Sequence, residues 1–214
     1  MTLPLAVLLA AATAWRTVGR DALCVTLGKV EEKGGKVVNS SPKLRAVAPG
    51  SSGRRAALRF ELQGPTEVVE PLASGAVRRQ LGLKLLADDG CNLLYVMWRA
   101  APASELVVTL KRNPGQRTHA HCGTRGYQTL RPRSSAPPPA LVAGQGHLLE
   151  AELGAAGLLV TIDGAPVWQG PVETGDLSGP AGLRSDNLRF TFSLAVDGES
   201  APAKDHCTRL DESD

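Results

Sequence analysis

Six basic residues crowd the middle of this sequence: Lys111, Arg112, Arg117, Arg125, Arg131 and Arg133. Tyr95, Trp98 and Tyr127 stand near them along the chain. Aromatic faces stack on sugar rings. Guanidinium forks grip carboxylates or sulfates in a flat, bidentate way. Together these types point to a surface for an acidic glycan. Its candidate ligand contacts are Trp98, Lys111, Arg112, His119, His121, Arg125 and Tyr127. Nucleic acid would also suit the charge, but aromatics are only 4% of the chain. Export from the cell also argues against it. Trp98 ends an apolar run, so core packing competes with ligand contact there.

His119 and His121 would face one side of an extended segment, with Cys122 adjacent. A His-x-His pair can hold a metal. A third ligand would have to be His147 or His206, and neither spacing is diagnostic. The expectation is therefore no metal and no cofactor. Gly-x-Ser-x-Gly, Walker, Rossmann and Cys-x-x-Cys patterns are all missing. Their absence weighs against esterase, nucleotide-binding and zinc-finger chemistry. No catalytic residue is assigned.

The elements that would position these residues read as β-strands. Leu188, Phe190, Phe192 and Leu194 alternate with Arg189, Thr191 and Ser193. A period of two favours a sheet with one wet face, because successive side chains point to opposite sides. Leu158, Val160 and Ile162 alternate in the same way and run into Asp163-Gly164, a strong hairpin signal. Val167 and Trp168 begin the return strand. Further strands are expected over 22–30, 56–63, 77–87, 91–98, 105–111 and 147–153. Residues 31–36 read as a turn, and 39–53 as a Ser/Pro/Gly-rich loop. Residues 179–187 read as the lead-in to the last strand. The stretch 112–132 is long, basic and aperiodic. Ordered loops of that length are often functional. Pro137-Pro138-Pro139 makes 133–140 a stiff spacer.

At 214 residues the chain suits one sizeable domain. The 23 glycines and 15 prolines fit a turn-rich all-β protein better than a helical bundle. Residues 1–14 read as an export signal: a short apolar run followed by Ala12-Thr13-Ala14. The domain is placed at 15–210, with an acidic tail at 211–214. No stretch reaches the length of a membrane span, so stable membrane insertion is not expected. The location implied is secreted or periplasmic. Four cysteines in an exported chain suggest disulfides. Three pairings are possible, and Cys91–Cys122 with Cys24–Cys207 is favoured. The first ties a strand start to a later loop; the second joins the chain's two ends, which often lie close. Net charge is +3, unevenly spread. Residues 78–133 carry ten Lys or Arg against three acids, and 146–214 carry twelve acids against four bases. A basic face and an acidic face follow.

The C-terminal order carries a resemblance. His147 to Leu153, Leu159 to Gly164, Val167-Trp168 and Gly182-Leu183-Arg184-Ser185-Asp186-Asn187 with a closing strand resemble concanavalin A-like lectin/glucanase jelly rolls. Laminin-G-like and keto-glycoside-hydrolase-like secreted modules are similar in particular. The resemblance implies an all-β, two-sheet antiparallel jelly-roll sandwich, commonly with carbohydrate on the concave sheet. It does not by itself fix a function. Glucanases of this kind carry closely spaced acids on one strand, one as acid and one as nucleophile. Here Glu150 and Glu152 are the only such pair, with no third acid in register. They read better as a solvated face opposite Leu149, Ala151 and Leu153. The sequence thus points to a non-catalytic carbohydrate-binding module that prefers acidic polysaccharide. A glycoside hydrolase or polysaccharide lyase, and an envelope or adhesion module, stand as alternatives.

Overall fold

The computed structural model describes residues 14–101, 103–199 and 207. The expected export signal, Ala14 apart, lies outside the described residues, as do His206 and the acidic tail. The chain begins with β1 (Arg16–Val18) and one 3-10 turn at Arg20–Ala22. Next come β2 (Cys24–Leu27), β3 (Val30–Lys33), β4 (Lys36–Asn39), β5 (Lys43–Ala48) and β6 (Arg55–Pro65). A meander of β7 (Arg79–Leu85), β8 (Leu93–Ala101) and β9 (Glu105–Lys111) follows. One helical turn, α1 (His119–Cys122), precedes β10 (Tyr127–Thr129) and β11 (Ser134–Ser135). The last strands are β12 (Gly146–Gly154), β13 (Gly157–Ile162), β14 (Ala165–Gly170), β15 (Ala181–Asp186) and β16 (Leu188–Val196).

These strands form two antiparallel sheets. One runs β11-β14-β13-β12-β6-β16-β4-β3, with β1 also on β16. The other runs β10-β9-β8-β7-β15-β5-β2. Alternation builds the core between them. Leu58, Phe60 and Leu62 of β6 and Phe190, Phe192 and Leu194 of β16 face Leu81, Leu83 and Leu85 of β7 and Leu94, Val96 and Trp98 of β8. Phe60 meets Trp98 edge-on, ring centroids 5.8 Å apart. Each such side chain, fully buried, contributes about 2 kcal/mol. The fold is a two-sheet jelly-roll sandwich. Among the described residues no helix is long and apolar enough to cross a membrane.

Four local expectations need correction. The strand expected over 22–30 is cut at Gly28 (φ +82°), where a Cβ would come within 2.2 Å of Lys43 O. Its halves, β2 and β3, enter different sheets. The expected turn at 31–36 is a hairpin, with only Gly34 and Gly35 turning at positive φ. The expected loop 39–53 contains β5, which is buried along almost its whole length. Residues 181–186, read as a lead-in, are β15, a central strand between β7 and β5. Both missed strands carry polar groups on their outward face, which masks the apolar row behind.

Cys91 is bonded to Cys122 and Cys24 to Cys207, the pairings favoured from sequence. The Cys91–Cys122 bond pins α1 to the start of β8. Serine at both positions is expected to lower stability by roughly 2–4 kcal/mol, read as a shifted urea midpoint; no shift would show the loop is held without the bond. A second test concerns Gly82, where a Cβ would stand 2.0 Å from Val96 O on the neighbouring strand. Gly82→Ala is expected to cost about 1–3 kcal/mol; an unchanged midpoint would contradict that contact.

Candidate functional site

The outward face of the seven-stranded sheet is laid out in rows by strand register. One row runs Lys43, Asp186, Gln80, Arg99, Glu105 across β5, β15, β7, β8 and β9. The next runs Arg45, Arg184, Gly82, Met97, Val107. A third runs Val47, Gly182, Lys84, Tyr95, Thr109, Thr129. Lys111 and Tyr127 pair beyond it. Gly82 and Gly182 carry no side chain in the middle of this face, so the floor is low there.

A hollow of about 270 Å³ lies over these rows. That is the small end of ligand pockets, which run from about 300 Å³ upward. At one end of the strands its wall is the segment Leu72–Ser74, and at the other His119, Thr124 and Tyr127. The first wall is held by Asn187, which sits at φ +56°. Asn187 Nδ2 donates to Glu70 O (2.8 Å) and Arg78 O (2.9 Å), and Glu70 N donates to Asn187 Oδ1 (2.8 Å). The second wall rests on the Cys91–Cys122 bond and on Asn113, whose Nδ2 donates to Cys91 O and Arg125 O, each at 3.1 Å. Asn92 Nδ2 donates to Gln116 O (2.8 Å).

The electrostatics turn on Asp186, which has no exposed surface. Its carboxylate accepts from Arg45 Nη2 (2.7 Å), Gln80 Nε2 (2.7 Å) and Arg184 Nε (3.0 Å). Burial alone would raise its pKa. Arg184, Arg45 and the Gln80 hydrogen bond overcome this and hold it far below the usual carboxylate range. Arg45 Nη1 donates further to Leu44 O and Ser185 O, both at 2.9 Å. The Arg184 guanidinium lies 5.0 Å from the Tyr95 ring centroid. Lys111, fully buried, donates to Gly90 O (2.8 Å) and lies 4.9 Å from the Tyr127 ring centroid. The Tyr95 and Tyr127 rings are near parallel, at 19° and 6.3 Å. Tyr127 is 44% exposed.

Arg45, Arg78, Arg99, Lys111 and Arg184 all line the hollow, and among the described residues no Asp or Glu does. Asp186 lies beneath the floor, and Glu105 pairs with Arg99. Among the described residues the lining is thus cationic, set among π faces and a few hydroxyls.

Of the residues singled out from sequence, Lys111, His119 and Tyr127 come together here. Arg112 turns away to Asp176 (2.6 Å). Arg125 donates to Cys122 O (3.3 Å) and to His121 O, bracing its own loop. The ring of His121 bonds Thr118 Oγ1 (3.0 Å). Trp98 faces the core and is fully buried. His119 and His121 lie on one helical turn, not on an extended segment. Among the described residues no three His, Cys, Asp or Glu side chains are grouped to hold a metal. Glu150 and Glu152 belong to the other sheet, where they meet Thr161 and Arg55. Sequence reasoning missed Arg45, Arg78, Gln80, Arg99 and Arg184. The available signal was alternation: Gln80-x-Gly82-x-Lys84 and Arg184-x-Asp186 put polar groups on every second position of apolar strands.

No family model matches the chain, and no curated protein matches it in sequence. Solved structures do share its fold. A carbohydrate-binding module, CBM66 from Bacillus subtilis, is similar at a TM-score of 0.51 and 13% identity, over 85% of this chain and 93% of that one. A structure among the endo-acting O-glycanases with which human gut microbiota initiate mucin breakdown is similar at 0.50 and 8% identity, over 85% and 94%. At such identities the likeness is one of fold: this chain is a jelly-roll sandwich of the concanavalin A-like kind.

Proposed function

We propose that this protein is a non-catalytic carbohydrate-binding module whose hollow takes an anionic glycan. The observation that carries the reading is the lining: five Arg or Lys side chains, no carboxylate among the described residues, and the stacked pair Tyr95 and Tyr127. Cations held on a fixed floor meet an anion without reorganising, which lowers the cost of binding. Aromatic faces supply the apolar contact that a sugar ring needs. The fold shared with a carbohydrate-binding module gives the reading its frame. A hydrolase would need two carboxylates flanking a glycosidic bond. The closely spaced pair, Glu150 and Glu152, stands on the opposite sheet. We place the protein outside the cytoplasm, secreted or periplasmic, and the two disulfides support this.

Binding should depend on salt. In affinity electrophoresis, polygalacturonate, alginate or heparin is expected to retard the protein at about 0.1 M salt and to release it near 1 M. Over that range the Debye length falls from about 10 Å to about 3 Å. Neutral glucans should not retard it. A protein that ignores every anionic polymer at low salt would overturn the reading. Tyr127→Ala removes an exposed ring and leaves the core intact. It is expected to weaken binding roughly five-fold, with an unchanged melting temperature as the check on folding.

A further inference from the structure

One lining residue is left in a state that a ligand would complete, and its neighbour carries a buried unpaired acceptor. Arg78 is half-buried and makes no side-chain hydrogen bond or ion pair with any described residue. Burial pushes its pKa down, Arg99 and Arg184 push it further, and Glu105 and Asp186 oppose them without reversing the direction. A guanidinium whose surroundings on balance disfavour its charge gains from a further anion. Its backbone is fixed, because Asn187 Nδ2 donates to Arg78 O. Gln80 is 4% exposed. Its Nε2 donates to the Asp186 carboxylate, which can only accept, so the orientation of the amide is settled. Gln80 Oε1 is then a buried acceptor with no hydrogen-bond partner among the described residues. Leaving such a group unpaired is costly. Gln80 and Arg99 are direct cross-strand neighbours, and Arg78 is two residues from Gln80. All three line the hollow.

We infer that this corner of the hollow is a subsite for a single sugar-acid unit, its carboxylate gripped by Arg78 and Arg99. The inference rests on the anionic-glycan reading and narrows it. A flat carboxylate matches a guanidinium fork and spends both its oxygens there. The small volume fits one unit better than several.

The test compares three probes by titration calorimetry: a panel of uronic-acid oligomers (galacturonate, glucuronate and alginate series), the same oligomers with their carboxyls reduced to alcohols, and dextran sulfate oligomers, which carry sulfate and no carboxylate. The wild-type protein is expected to prefer uronates over their reduced forms by roughly ten-fold or more. Arg78→Gln is expected to erase that preference, leaving the reduced forms bound as before. Because the Arg78 side chain makes no hydrogen bond or ion pair with a described residue and its surroundings on balance disfavour its charge, the melting temperature of Arg78→Gln without ligand should be unchanged or higher. Equal wild-type binding of uronates and reduced forms, or a preference that survives Arg78→Gln, would overturn the subsite. Dextran sulfate bound without uronates would overturn it while leaving the anionic-glycan reading in place. No binding of any anion would sink both.

Discussion

A buried carboxylate with three donors organises this molecule's outward face. Asp186 lies under the floor of the hollow and takes hydrogen bonds from Arg45, Gln80 and Arg184. Without it, Arg45 and Arg184 would be two guanidiniums side by side on neighbouring strands without the carboxylate that bridges them. Burying unpaired charge costs several kcal/mol per ion. One carboxylate between two cations makes the burial tolerable and leaves a net positive charge. That remainder is what the hollow presents to solvent. The same contact joins β5, β15 and β7 through side chains as well as backbone, so the charge pattern and the sheet register depend on each other.

The apolar rows were legible in the sequence because they follow the strand period without interruption. Leu188 to Leu194 and Leu158 to Ile162 needed nothing but alternation. The two strands missed, β5 and β15, have alternation of a different kind. In Lys43-Leu44-Arg45-Ala46-Val47-Ala48 the inward residues are mostly small and the outward ones include a charge that is itself buried. In Ala181-Gly182-Leu183-Arg184-Ser185-Asp186 only Leu183 is large and apolar. Composition makes both look like loops. Their burial comes from the partners on either side, which a single strand does not encode. The cysteine pairings were readable for the opposite reason: four residues leave few choices, and the chain's ends tend to meet.

The site was less legible because it is assembled across the fold. Reading along the chain gathers residues near one another in number, as with 111 to 127. Register gathers residues on neighbouring strands, and Arg45 meets Asp186 across 141 positions. Lys111, His119 and Tyr127 belong to both sets, since β9 and β10 lie at one edge of the same sheet. Arg112 and Arg125 belong only to the first, and their charge goes into holding loops. Basic composition in a segment therefore predicted the sign of the surface better than its membership. Trp98 shows the same limit: alternation along β8 gives Tyr95 to the outward face and Trp98 to the core.

Residue 187 explains why floor and wall come as a unit. β15 ends in one sheet at Asp186 and β16 begins in the other at Leu188, so a single residue makes the crossing. That corner requires the left-handed backbone, which Asn tolerates better than other side chains. Having turned the chain, Asn187 spends its amide on the backbone of Glu70 and Arg78. Asp186 therefore fixes the cations of the floor while its neighbour fixes the wall beside them. Any shift of β15 along its partners would move the charge and the wall together. The hollow keeps its shape because both are tied to the same peptide link, and that link lies between two packed sheets.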